Sequence, residues 1–189
     1  RHAVCTNDAA RNDQLVTLYS LGQSGLPQRR RPPLTTCSEK GSFMSDYNAE
    51  DVRNIALVGH AGSGKTTLVE ALLASAGATS EPGSVTRGTT VCDHDDMEKE
   101  LKHSLDVGIT GFGAHGKHIN LLDTPGYPDF LGRTLSVLNA VETAAIVVNA
   151  ENGIEPITQR AWKAADKRNL CRIFIVNGID NPNADIAAL

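Results

Sequence analysis

No apolar stretch in these 189 residues approaches the length a helix needs to cross a membrane, so no membrane partner is expected. Cysteine is sparse and unpatterned: Cys5, Cys37, Cys92 and Cys171 share no repeated spacing. That excludes a disulfide framework and indicates reduced thiols, hence a cytoplasmic setting. Basic excess is missing from the part that looks globular. Residues 44–189 carry 12 Lys and Arg against 19 Asp and Glu, which gives no sign of gripping nucleic acid through bulk charge. Histidines do not gather either. His115 and His118 flank one turn, but a metal would need more ligands, so exposed turn histidines are expected. What remains is a chain with 40% hydrophobic and 21% charged residues, long enough for one domain with a sizeable core.

Residues 1–43 stand apart. They hold six Lys and Arg against three Asp and Glu, include Arg29-Arg30-Arg31-Pro32-Pro33, and show no sustained period. Such a segment buries too little apolar surface to offset its ordering entropy. Three readings fit it: a disordered extension, an Arg-rich organelle-targeting segment, or translated upstream sequence with Met44 as the true start. Asp8, Asp13 and Glu39 disfavour the second. The third is preferred, because ordered sequence begins within ten residues of Met44. The domain boundary is therefore placed between 43 and 44.

The chain is organised around Gly59-His60-Ala61-Gly62-Ser63-Gly64-Lys65-Thr66-Thr67. An apolar run, Ile55–Val58, enters it and a helix-forming run, Leu68–Leu73, leaves it. Gly-x-x-x-x-Gly-Lys-Thr in a strand–loop–helix context is a phosphate-binding loop. Glycines 59, 62 and 64 permit close backbone approach. Successive N–H groups line a cradle at a helix N-terminus, where the dipole favours an anion. Lys65 supplies a point charge for β- and γ-phosphate oxygens and can stabilise charge that develops on them. Thr66 offers a hydroxyl to Mg²⁺, which seeks oxygen ligands.

A helix is expected from Lys65 to about Ala74, ended by Gly77. From Gly77 to about Lys102 no clean period appears, and a loop that long is usually functional or mobile. Ser104–Phe112 and Lys117–Leu122 read as an antiparallel hairpin turning at Gly113–Gly116. An amphipathic helix follows, with Leu131, Leu135, Leu138 and Val141 on one face. Ala144–Val148 is a buried strand, Pro156 opens a helix reaching about Arg168, and Ile173–Val176 is the last strand. Asn183–Leu189 can start a further helix. The alternation predicts an α/β fold of the P-loop NTPase kind: a mostly parallel sheet with helices on both faces and ligand loops at the strands' carboxyl ends.

Two further motifs fall at such ends. Asp123-Thr124-Pro125-Gly126 follows a strand 58 residues after Lys65. Asp123 can reach a Mg²⁺ shell through water, and the Gly126 N–H can meet a γ-phosphate oxygen and so sense its presence. Asn177-Gly178-Ile179-Asp180 carries base choice. The Asp180 carboxylate offers two acceptors to the N1–H and N2–H₂ donors of guanine. Adenine has an acceptor at N1, and that mismatch costs ~1–3 kcal/mol. The expected ligands are GTP or GDP with Mg²⁺. Taken singly, these two motifs are also ordinary strand-end turns.

Together the motifs resemble the translational GTPases, specifically elongation factor G and its close paralogues. The resemblance covers about Val52 to Asp180. It rests on Arg53-Asn54-Ile55-Ala56-Leu57-Val58-Gly59-His60, on Gly116 to Phe130, and on the Ala145-Ile146-Val147-Val148-Asn149-Ala150 strand with Gly153-Ile154-Glu155 after it. The resemblance implies a first switch ending in a hydroxyl that coordinates Mg²⁺. Thr89 or Thr90, after Arg87-Gly88, is one match. Aligning the acidic run from Asp93 gives Ser104 instead, directly before the hairpin, and Ser104 is preferred. It also implies a ribosome-stimulated GTPase whose ribosome-contacting domains lie outside this chain, which would be a GTP-binding domain truncated at its C-terminal end.

Three departures stand out against that pattern. Tyr127 occupies the place of the family's water-positioning His; a phenol with a pKa near 10 is a poor base, though it can orient water. Gly178 replaces a Lys whose stem packs over the base. Gly62 stands where Asp is common. Tyr127 and Gly178 support a rival reading, a nucleotide-dependent ribosome-binding module with weak or no hydrolysis. An ATP-binding loop protein is a more distant alternative. Marginal stability is also expected, since a sheet edge and its covering helix would be missing.

Overall fold

The computed structural model describes residues 16–18, 47–93, 95–182 and 184. Its strands are β1 (Val16–Leu18), β2 (Val52–Val58), β3 (Gly108–Ala114), β4 (Lys117–Asp123), β5 (Thr143–Asn149) and β6 (Cys171–Asn177). Its helices are α1 (Lys65–Ala76), α2 (Asp96–Leu101), α3 (Leu131–Val137) and α4 (Pro156–Lys167). The strands form one sheet in the order β1-β6-β5-β2-β4-β3. All neighbours run parallel except β3 and β4, which form the antiparallel hairpin. This is the expected α/β fold.

Burial on both faces explains the uninterrupted apolar runs. Along β5, Ala144, Ile146 and Val148 face one core together with Val137, Leu138 and Val141 from the α3 region and Ala161 and Ala165 of α4. Ala145 and Val147 face the other core, with Leu68, Val69 and Leu73 of α1. Successive strand residues point to opposite faces, so a strand covered on both sides must be apolar throughout. Against the α4 face, Trp162 stacks on Phe174 at 4.7 Å between ring centroids, and Arg172 lies over the indole.

Helix ends follow local chemistry. Gly77 caps α1 at φ 76, and the N–H of Ala78 returns to the Leu73 carbonyl, the usual left-handed termination. Pro156 sits in the first turn of α4, where its missing N–H is no loss. The helix after Pro128 is shorter than its apolar pattern suggests. It ends at Val137, and Leu138 and Val141 remain buried beyond it.

Within the first 43 residues, Val16–Leu18 pairs in parallel with Phe174–Val176. The outer edge of β6 offers unpaired backbone groups, and a short β-branched segment can fill them. The stretch from Gly77 to Lys102 is not all loop, since it contains α2. Asp95 caps that helix by accepting from the Met97 N–H, and Glu98 reaches back to the Asp95 N–H, a complete capping box. Finally, β3 begins at Gly108, not Ser104. The N–H groups of Leu105 and Asp106 donate to the Glu98 carboxylate, so this segment does not join the ladder. The expected helix over Asn183–Leu189 lies outside the described residues except for Ala184.

Candidate nucleotide site

The register sets the site. Leu57 of β2 pairs with Asp123 of β4, and Asn149 of β5 pairs with Asn177 of β6. The three motif loops therefore emerge along one carboxyl edge of the sheet. The phosphate loop and the Asp123–Gly126 loop wall a cleft of about 390 Å³ that includes Gly62, Lys65, Thr66, Ser104, Gly126 and Tyr127 in its lining, while the Asn177–Asp180 loop lies outside that lining.

The phosphate loop is held from within. Lys65 Nζ donates to the carbonyls of Gly59 at 3.0 Å and His60 at 2.7 Å. Burial pushes this ammonium down to about 8, against the pull of Asp123. A phosphate anion beside it would favour the charged form again. His60 is fully buried, with Nδ1 at 3.4 Å from Thr158 Oγ1 and Nε2 at 3.7 Å from Glu155. Burial holds its pKa below the ordinary value, and the Glu155 carboxylate opposes that shift.

Two glycines are required by close approach. Gly64 adopts φ 88 at the start of α1, and a Cβ there would collide with the Asn177 side-chain amide. At Gly126 a Cβ would lie 2.5 Å from the Ala61 nitrogen and 2.6 Å from Lys65 Nζ. The Gly126 turn is pinned from both sides. Thr124 Oγ1 donates to the Leu57 carbonyl at 2.7 Å, and Thr134 Oγ1 to that of Pro125 at 3.1 Å.

A cluster of hard oxygen ligands lies between the loops. Thr66 Oγ1 donates to Asp123 Oδ2 at 2.6 Å and lies 3.5 Å from Ser104 Oγ. Ser104 Oγ in turn donates to Asp93 Oδ1 at 2.8 Å. Asp123 is almost wholly buried, its carboxyl is pushed up to about 6 chiefly by that burial, and its Oδ1 has no partner. Among the described residues no three His, Cys, Asp or Glu side chains form a closed metal cage. The set instead suits Mg²⁺, which takes few protein oxygens and keeps positions for water and phosphate. An orphaned buried carboxylate oxygen beside two hydroxyls is what such an ion would satisfy.

Each predicted residue can be placed. Ser104 lies beside Thr66. Thr90 donates instead to Asp93 Oδ2 at 2.6 Å, and Thr89 accepts from the Ser84 N–H at 3.0 Å. Tyr127 is about two-fifths exposed, and its ring packs against His103 at 4.5 Å between centroids. Asn177 Nδ2 donates to the Ser63 carbonyl at 3.0 Å, tying the Asn177–Asp180 loop to the phosphate loop. Asp180 is exposed at the edge.

Sequence reasoning missed the carboxylates that hold the segment between α1 and β3. Glu70 of α1 accepts from the N–H groups of Gly83 at 2.9 Å and Val91 at 2.5 Å. Asp93 holds Thr90 and Ser104 as above. Glu98 accepts from Asp95, Leu105 and Asp106. All three are buried. The one legible signal was Asp95-x-x-Glu98, a capping box in an acidic run. Cys92, packed among these carboxylates, has its thiol pushed far above the ordinary range by burial and their charge, which makes it inert.

Residues 50–189 match the elongation factor Tu GTP binding domain family. The chain belongs to that family, the translational GTPases. It is 40% identical over 134 residues to an elongation factor G-like protein of Mycobacterium tuberculosis, covering 71% of this chain and 19% of that protein. It is 41% identical over 137 residues to the mitochondrial ribosome-releasing factor 2 of Drosophila willistoni, covering 72% and 18%. A solved structure from Thermus thermophilus superimposes with a TM-score of 0.69 at 41% identity, covering 72% of this chain and 20% of that one. Translation elongation factor SelB from Methanococcus maripaludis, solved with the GTP analogue GppNHp, shares the fold at 24% identity, a TM-score of 0.51 and coverage of 72% and 24%. The chain thus spans about a fifth of the length of the curated relatives it matches. Its elongation factor G-like character, expected from the motifs, stands. Among the described residues no helix is long and apolar enough to cross a membrane.

Proposed function

We propose that this GTP-binding domain takes GTP or GDP with Mg²⁺ and, within an elongation factor G-like translation factor, hydrolyses GTP in a ribosome-dependent step. The observation that carries this reading is the convergence of Thr66, Ser104 and Asp123 next to a phosphate loop tied to Asn177. Mg²⁺, when bound, would neutralise charge on the outer phosphates; Thr66 and Ser104 would hold it directly and Asp123 through water. The backbone N–H groups of Gly59–Thr67 cradle the phosphates. Lys65 stabilises charge that develops on the γ-phosphate during in-line attack by water. The Gly126 N–H reads the presence of that phosphate, and Tyr127 orients the water. Asn177 and Asp180 select guanine. The relatives' names supply the ribosome: one is an elongation factor G-like protein, the other a ribosome-releasing factor. We place the step in the cytoplasm, with an organelle as the alternative, since the second relative is named mitochondrial.

A second reading has a specific observation behind it. Tyr127 is held against His103, and a phenol is a weak base at neutral pH. The domain would then be a nucleotide-dependent ribosome-binding module that turns over little. GTP turnover with and without ribosomes, paired with GTP, GDP and ATP competition, separates the readings. Ribosome-stimulated phosphate release supports the first. Tight GTP binding without turnover establishes the second, and preference for ATP overturns both.

A further inference from the structure

The residue that ends α2 is in an unusual state. Lys102 adopts φ 57 and ψ 34, the left-handed region where glycine or asparagine normally terminates a helix and other side chains are disfavoured. A cation at a helix C-terminus suits the dipole, but Lys99 already provides one in the last turn. The N–H groups of Lys102 and His103 both return to the Glu98 carbonyl, so the left-handed turn is the helix's own termination, and it carries the Lys102 side chain out of the helix. Its placement is what matters. Lys102 is exposed and lines the same cleft as Gly62, Gly64, Lys65 and Thr66 of the phosphate loop. Among the described residues its ammonium has no ion-pair or hydrogen-bond partner.

The cleft has a direction. Asn177 touches the loop at Ser63 and Gly64 and marks the base end. Ser104, reaching towards Thr66, marks the other end, where the outer phosphate would lie. Lys102 is two residues from Ser104, on the same segment. We propose that Lys102 is a second phosphate-binding cation, supplied by this segment to the terminal phosphate of GTP, and that it discriminates GTP from GDP. It complements Lys65, which approaches from the loop side. This inference rests on the nucleotide-site reading above.

The test uses Lys102→Gly, Lys102→Arg and the unaltered chain, titrated with Mg²⁺ and either β,γ-imido GTP or GDP, with thermal unfolding measured alongside. Glycine is the residue this backbone prefers, so Lys102→Gly keeps the fold while removing the charge. The expected result is a loss of about tenfold in affinity for the imido analogue. GDP affinity and unfolding temperature should be no lower than in the unaltered chain, and Lys102→Arg should retain discrimination. Equal analogue affinity in Lys102→Gly and the unaltered chain overturns the inference alone, as does a parallel loss for both nucleotides. If the unaltered chain binds neither nucleotide, the site reading falls and this inference with it.

Discussion

The side-chain amide of Asn177 donates to the carbonyl of Ser63, 114 residues earlier, at 3.0 Å. One bond thus couples the loop expected to read the base to the loop expected to hold the phosphates. Asn177→Ala should destabilise the chain by about 1 kcal/mol, the net worth of one such bond, and weaken GDP binding as well. Urea unfolding and a GDP titration on the same sample check both effects. Gly64→Ala should be far worse, since its Cβ would meet that same amide in a left-handed backbone. No measurable GDP affinity is expected there; near-normal binding would show that the loop geometry is wrong.

Asp123 should show opposite signs in two assays. Its buried carboxylate has one oxygen without a partner. Asp123→Asn should therefore leave the metal-free, nucleotide-free chain as stable as before, or more stable by about 1–2 kcal/mol. The same change should lower Mg²⁺-dependent GDP affinity by at least about tenfold. Thermal unfolding in chelator and a Mg²⁺ titration give the two readouts.

Ser104 and Thr90 both bond Asp93, but only Ser104 lies beside Thr66. Ser104→Ala should cost affinity for a GTP analogue with Mg²⁺ more than for GDP. Thr90→Ala should lower stability by about 1 kcal/mol and spare that ratio. The reverse pattern would reassign the switch hydroxyl to the Arg87-Gly88 neighbourhood.

His60 should make stability fall in mild acid. It is buried beside Thr158, and its folded pKa lies below the ordinary 6.5. Below pH 6.5 the unfolded chain takes up a proton that the folded chain refuses, so stability declines as pH drops through that window. His60→Gln removes the titrating group. Thermal unfolding followed from pH 7.5 to 5.5 should show a steeper decline in the unaltered chain than in His60→Gln.

What could be read in the chain depended on how local the cause was. The β2–loop–α1 unit was legible because strand run, glycines and helix run are consecutive. The hairpin and α4 were legible for the same reason, through turn residues and Pro156. The segment before β3 was not, because its order is imposed from afar. Glu70 bonds Gly83 and Val91, 13 and 21 residues on, and such reach leaves no periodicity. Ser104–Val107 looked like strand, since composition does not show that Glu98 captures the neighbouring N–H groups. At the site, the phosphate loop and Asp123–Gly126 followed from motif spacing, and Ser104, which lies beside Thr66, from the resemblance. Asp93, Lys102 and His103 did not, because they come to line the cleft only through the fold of this segment.

The three buried carboxylates also bear on kinetics. With Glu70, Asp93 and Glu98 already holding the covering segment, an arriving nucleotide has little chain to order. A departing one faces the converse: the segment must let go first, against bonds that never touch the ligand. Residence time would then be governed from the far side of the segment, and loosening Glu98 alone should hasten GDP release while leaving every phosphate contact in place.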